Sequence, residues 1–130
     1  MNVEIFSLCD AATQQTGKLN ILGAFDSVYA KKAPIVISQC ALALRLRFSL
    51  SEQGEHSISV KFIDIDGKEI VPPIKGALTV NFNEGQVSVS QNLVLNIHGF
   101  KIDNPGQYSI RLVVDEHEIS SLPLHIALRD

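Results

Sequence analysis

Cysteine is scarce in this 130-residue sequence, with only Cys9 and Cys40, and charge is sparse as well, at 19% of residues. Two thiols so far apart build no disulfide framework. Each lies in or beside an apolar strand pattern, so both are expected to be buried and free. Lys and Arg number 11 against 14 Asp and Glu, for a net charge of −3, and they occur singly or in pairs. That leaves no basic stripe to track a phosphate backbone, and nucleic acid is excluded as an expected partner. No window approaches a membrane span, and Met1-Asn2-Val3-Glu4-Ile5 lacks the basic-then-apolar order of a secretory signal. A soluble, cytoplasmic protein with no membrane partner is the expectation.

What is present is apolar residues, 45% of the chain, arranged with a period of two rather than 3.6. A chain of this length makes one domain, residues 1–130, with a real core. The clearest stretch is Asn104 to Val114, where a Pro- and Gly-containing turn leads to Tyr108, Ile110, Leu112 and Val114 on one face. A Tyr two residues before an inward apolar residue is similar to the tyrosine corner of immunoglobulin-like sandwiches. Further strands are expected at Val3–Cys9, Leu19–Tyr29, Cys40–Leu50, Ser57–Ile65, Ala77–Phe82 and Val87–Ile97, with a last one carrying Leu122, Leu124, Ile126 and Leu128. Leu42, Leu44, Leu46 and Phe48 should point to the core, with Ala43, Arg45, Arg47 and Ser49 on a wet face.

Between these lie the breaks. Asp10–Lys18 reads as a loop, with Ala11-Ala12-Thr13-Gln14-Gln15 able to form one helical turn; Asp66-Gly67 reads as a hairpin turn, and Gly99–Gly106 as a crossing loop. Gly23 implies a bulge or a close approach, Pro72-Pro73 ends a short return strand at Ile70-Val71, and Pro123 marks an edge or a strand start. The fold class is therefore all-β, a two-sheet Greek-key β-sandwich of immunoglobulin-like type, with a small barrel as the alternative closure.

Candidate chemistry is thin. Asp64 and Asp66, joined by Asp26, Asp103 or Asp115, could gather around calcium at a loop end, but Asp66-Gly67 is already explained as a turn. His56, His98, His117 and His125 include no metal-ligand spacing and no CxxC accompanies them, so solvated or partly covered imidazoles are expected. A Cys-His pair using Cys9 or Cys40 would need a low-pKa thiolate, for which the sequence offers no sign, and no nucleophile elbow exists. No catalytic, cofactor-binding or metal residue is assigned, and no cofactor is expected. Arg45, Arg47 and Lys61 have the parity to share an outward anion patch, whose bland counterpart is an ordinary solvated face. Val94 and Val113 stand on outward rows, and Val3–Leu8 is apolar on both parities; loops or a subunit interface would account for them.

Leu8-Cys9-Asp10, Gly17-Lys18-Leu19, Ile21-Leu22-Gly23-Ala24-Phe25-Asp26, Leu44-Arg45-Leu46-Arg47-Phe48, Asp64-x-Asp66-Gly67 and Gly106-x-Tyr108 leading to Val114-Asp115 together carry a resemblance. Over nearly its whole length the chain resembles a family of small uncharacterised bacterial and phage-associated proteins, described only as a domain of unknown function. The resemblance implies a cytoplasmic β-sandwich and supplies no activity. The functional expectation is a non-catalytic module, not an enzyme, acting through a protein partner or self-association; the alternative is a loop-end module binding carbohydrate or calcium.

Overall fold

In the computed structural model, which describes residues 1–129, alternating apolar residues become strands almost everywhere the period holds. Nine strands occur among the described residues: Asn2–Gln15 (β1), Lys18–Ala24 (β2), Ser27–Ala30 (β3), Ile35–Ser49 (β4), Gly54–Asp64 (β5), Ile74–Val80 (β6), Ser88–Ile102 (β7), Gly106–Val114 (β8) and His117–Leu128 (β9). Among the described residues the one helical piece is a 3-10 turn, Leu50–Glu52. The strands form a four-stranded sheet in the order β2-β1-β4-β7 and a five-stranded sheet in the order β3-β9-β8-β5-β6. All pairs are antiparallel except β3 with β9.

The core lies between the sheets. Leu42, Leu44, Leu46 and Phe48 of β4 meet Ile58, Val60 and Phe62 of β5, Ile110, Leu112 and Val114 of β8, and Leu124 and Ile126 of β9, all buried. Each apolar row follows the expected parity, because successive side chains of a strand point to opposite faces and only one face is dry. Leu128 departs from its row and is exposed, since it lies at the end of β9.

Three strands change parity, and the changes have visible causes. In β1 the register slips between Val3 and Ile5, leaving Glu4 as an extra residue, so Val3 packs on the same core as Phe6 and Leu8. That bulge explains the two-sided pattern of Val3–Leu8. In β4 the inward row is even from Cys40 to Phe48 but odd at Ile35 and Ile37; facing it, β7 runs odd from Val89 to Ile97 but even at Phe100 and Ile102. The switch coincides with Gly99 at φ +64°, a left-handed conformation that glycine adopts without steric cost. Gly99–Gly106 is thus no simple crossing loop: β7 continues to Ile102, and Phe100 and Ile102 are core residues.

Other expectations need correction. Asp10–Gln15 is strand, not loop or helical turn, because β2 folds back on it around Thr16 and Gly17, both at positive φ. Leu19–Tyr29 is two strands, β2 in one sheet and β3 in the other; Gly23, at φ +69°, admits the Asp10 carboxylate where a Cβ would collide with it. Pro123 sits inside β9, not at an edge strand or a start. β3 begins to pair only at His125, whose N–H donates to Asp26 O at 2.7 Å, so the side of β9 toward which Pro123 lacks a donor has no strand to serve.

The β1–β2 hairpin then curls over the outer face of its own sheet. Ala12 and Leu19 cover Cys9, Ala41, Ala43 and Val94 there, and Gly17 O accepts bonds from Asn92 Nδ2 (3.1 Å) and Arg45 Nη1 (3.4 Å). The face expected to be wet around Ala43 is therefore dry. Small side chains allow the close approach, giving a second, minor core.

Candidate functional site

The candidates from the sequence fall in separate places, except that Asp64 and Asp103 line one cavity with Tyr108. Cys9 and Cys40 are free and fully buried, and they belong to opposite faces of one sheet, Cys9 in the minor core and Cys40 in the main one. Burial raises both thiol pKa values, that of Cys40 to about 11, so neither is held as a thiolate.

Asp64 and Asp115 lie at opposite ends of the sandwich. Asp64 pairs with Tyr108 at the start of β8 and is used by the hairpin turn, where its Oδ1 accepts from the backbone N–H groups of Asp66 and Lys68, both at 2.9 Å. Asp115 closes the β8–β9 turn at the far end and accepts from Ser57 N–H at 3.0 Å. Asp26 takes the Ser27 hydroxyl, at 2.9 Å. Among the described residues no three His, Cys, Asp or Glu side chains converge as a cation site.

Of the histidines, His56 is the one held firmly on both sides. Its Nδ1 lies 2.6 Å from Asp115 Oδ2 and its Nε2 2.6 Å from Glu52 O, with the ring against Phe48 at 4.9 Å between centroids. A carboxylate and a carbonyl only accept, so both ring nitrogens donate and the imidazole is held as the cation. Its pKa is accordingly raised, first by Asp115 and then by the Glu52 carbonyl, and that of Asp115 is lowered by His56. The Glu52 side chain caps the 3-10 turn through Ser49 N–H and binds the Met1 amino group at 2.7 Å, which holds its pKa down at about 2.

The basic patch does not assemble. Arg45 and Arg47 both bind the carboxylate of the bulged Glu4, at 2.9 and 2.8 Å, while Lys61 is on β5 in the other sheet beside Arg111, which pairs with Glu118 at 2.9 Å. Arg47 is the first cause of the lowered Glu4 pKa. Val94, on an outward row for which loops or a subunit interface would account, is half-buried under the β1–β2 hairpin.

What the fold does expose is backbone. β7 pairs with β4 along one side, and among the described residues no strand lies on its other side. From Ser88 to Phe100 it carries no Asp, Glu, Lys, Arg or Pro. Sheet edges left in that state are templates for another strand, and the edges of the five-stranded sheet are blunted. β3 has four residues, and β6 follows Pro72-Pro73 and carries Lys75 and Gly76. The long alternation of β7 was visible in sequence, but its edge position was not; the thirteen charge-free, proline-free residues were the signal available.

The protein-family model described as "Family of unknown function (DUF6941)" matches residues 4–127. None of the curated proteins matches the chain. Among solved structures, the Pseudomonas fluorescens alkylpurine DNA glycosylase AlkC bound to DNA containing an abasic site analog is similar at 10% identity and a TM-score of 0.42, over 81% of this chain and 28% of that one. This chain thus spans less than a third of that protein's length, and a likeness so distant carries no functional argument.

Proposed function

The chain belongs to the family of unknown function DUF6941, and from that premise we propose a non-catalytic immunoglobulin-like module that binds protein through an open sheet edge. The observation that carries this reading is β7: an edge strand from Ser88 to Phe100 with neither charge nor proline to discourage strand addition. The Greek-key reading is supported by the two sheet orders and by Tyr108, whose hydroxyl donates to Asn104 O four residues upstream in the manner of a tyrosine corner. The non-catalytic reading is supported by two thiols whose pKa values are raised and by carboxylates already committed to turns. The cytoplasm is the proposed compartment, supported by Cys9 and Cys40 both being free.

Amide chemical shifts, recorded while extended peptides of alternating apolar and polar residues are added, test the edge. Shifts concentrated in Ser88–Phe100 are expected; peptides that leave that stretch unmoved would sink the reading. A second reading, a loop-end site for a polar ligand such as a carbohydrate or calcium, is favoured by a cavity of about 310 Å³ beside the tyrosine corner, lined in part by Asp64, Lys68, Lys101, Asp103 and Tyr108. Glycan screening and calcium calorimetry that give no signal would remove it.

A further inference from the structure

We propose that the β1–β2 hairpin beyond Cys9 is a lid, which swings off the outer face of its sheet while the sandwich stays folded and so uncovers Cys9. The face concerned is not the β7 edge, and the lid stands whether or not that edge binds a partner.

The hinge follows from the ladder. β1 pairs with β4 from Asn2 to Cys9, the last pair being Cys9 with Ala41, and beyond Cys9 it pairs with β2 alone. Between the pairs Cys9–Ala24 and Ala11–Leu22 stand Asp10 and Gly23, the latter at φ +69° with the Asp10 carboxylate where a Cβ would be. The two strands thus leave the sheet together at one level. Past it, the pairs from Ala11–Leu22 to Gln15–Lys18 are internal to the hairpin, and Asn20 Nδ2 donates to Thr13 Oγ1 at 3.3 Å across them. Swinging the hairpin as a unit breaks none of these bonds.

Among the described residues, what holds the hairpin down is slight. Ala12 and Leu19 supply the apolar cover over Cys9, Ala41, Ala43 and Val94, while residues 13–18 and 20–24 are exposed. Two side chains, one of them an alanine, bury little area beside the main core. The polar latch is Gly17 O with Asn92 Nδ2 and Arg45 Nη1. It parts without orphaning its donors: Arg45 Nη1 also donates to Asn92 Oδ1 at 3.0 Å and Arg45 Nε to Glu4 Oε1 at 2.9 Å, and Gly17 is exposed to water. An element with so few buried contacts opens locally, at a smaller free-energy cost than global unfolding.

Opening bares a strip of small apolar side chains across three neighbouring strands, since Cys9 pairs with Ala41 and Ala43 with Val94. The two thiols then report different events. Cys9 comes out with the lid, whereas Cys40 faces the main core and comes out only when the two sheets part.

Alkylation of the full chain by iodoacetamide at a series of low urea concentrations, with mass spectrometry of the peptides reading each thiol separately, tests the lid. Cys9 should react about tenfold or more faster than Cys40. Its rate should rise little with urea, because the opening exposes little surface, while that of Cys40 should climb as steeply as unfolding does. Leu19→Ala removes cover and Asn92→Ala removes the latch, and each should raise the Cys9 rate several-fold relative to that of Cys40. Should Leu19→Ala fail to fold, Asn92→Ala and the wild-type urea dependence decide. A Cys9 rate no faster than that of Cys40, or as steep in urea, would overturn the lid by showing that Cys9 is reached through global unfolding. So would a fast Cys9 that neither substitution speeds, because the opening would then lie elsewhere.

Discussion

The two ends of β8 close the sandwich by opposite means. At its start, Tyr108 is tied to Asn104, four residues away in the loop that leads into the strand, at 2.5 Å. At its far end, about 23 Å on for seven residues of extended chain, Asp115 is tied to His56, 59 residues away in sequence, and through it to the Glu52 carbonyl. One lock is local and neutral; the other is long-range and ionic. The comparison separates what a turn can do for itself from what only the finished fold brings together. A local bond helps order its own loop early at little loop-closure cost, whereas the ionic one gains nothing until β5 and β8 have paired.

Breaking the ionic lock should have the largest effect. His56→Ala removes two charge-assisted bonds and the contact with Phe48, and it leaves Asp115 with Ser57 N–H alone, so it should destabilise by about 2 kcal/mol in urea denaturation. Tyr108→Phe removes one neutral bond and should cost about 1 kcal/mol by the same measurement; unchanged stability would mean the corner does not act as a brace.

The smallest effect is with pH, and it sharpens the contrast because only one end titrates near neutrality. His56 has a folded pKa above its ordinary value of 6.5, so its contribution is complete below that value and is lost as pH rises through the folded pKa. Asp115 has a folded pKa below its ordinary 3.8, so its contribution is present above that value and is lost as pH falls through the folded one. Stability should therefore decline on going from weakly acidic to alkaline solution. The change should be a few tenths of a kcal/mol, because Asp115 is half-exposed and screened. A His56→Gln variant should flatten the decline in thermal midpoint. A slope that survives that change would assign it elsewhere.

The same contrast tells how much was legible beforehand. The Tyr108 corner, the inward rows of β4, β5 and β8 and the Asp66-Gly67 turn all follow from residues within a few positions of one another, and a period of two or a turn signature carries that information. The Glu4 bulge and the parity change at Gly99 were missed as such, because an extra residue in β1, and a change of facing at constant register in β4 and β7, make a continuous strand look mixed or interrupted. Strand order leaves still less trace. Without it, the cover over Val94 was open between loops and a subunit interface, Lys61 looked like a neighbour of Arg45, and His56 was one unremarkable histidine among four; each was placed by a partner from a distant part of the chain. The open edge belongs with these. Its composition was readable, but its lack of a neighbour is a property of topology.

Time enters through β3. Its only strand partner among the described residues is the end of β9, where Val28 pairs with Ile126, 98 residues later. Ribosomes add about 5–20 residues per second, so a newly made β3 waits on the order of 5–20 s for the strand it joins. Before that strand is made, β1, β2, β4 and β7 have all been synthesised. The crossing of the chain at Phe25 and Asp26, anchored by Phe25 N–H to Leu8 O at 2.9 Å, would then be a tether paid out in advance and drawn tight last. Pulsed hydrogen exchange during refolding should find the amides of Ser27–Ala30 protected together with those of His125–Leu128 and after those of β4. Protection of β3 before β9 would refute that order.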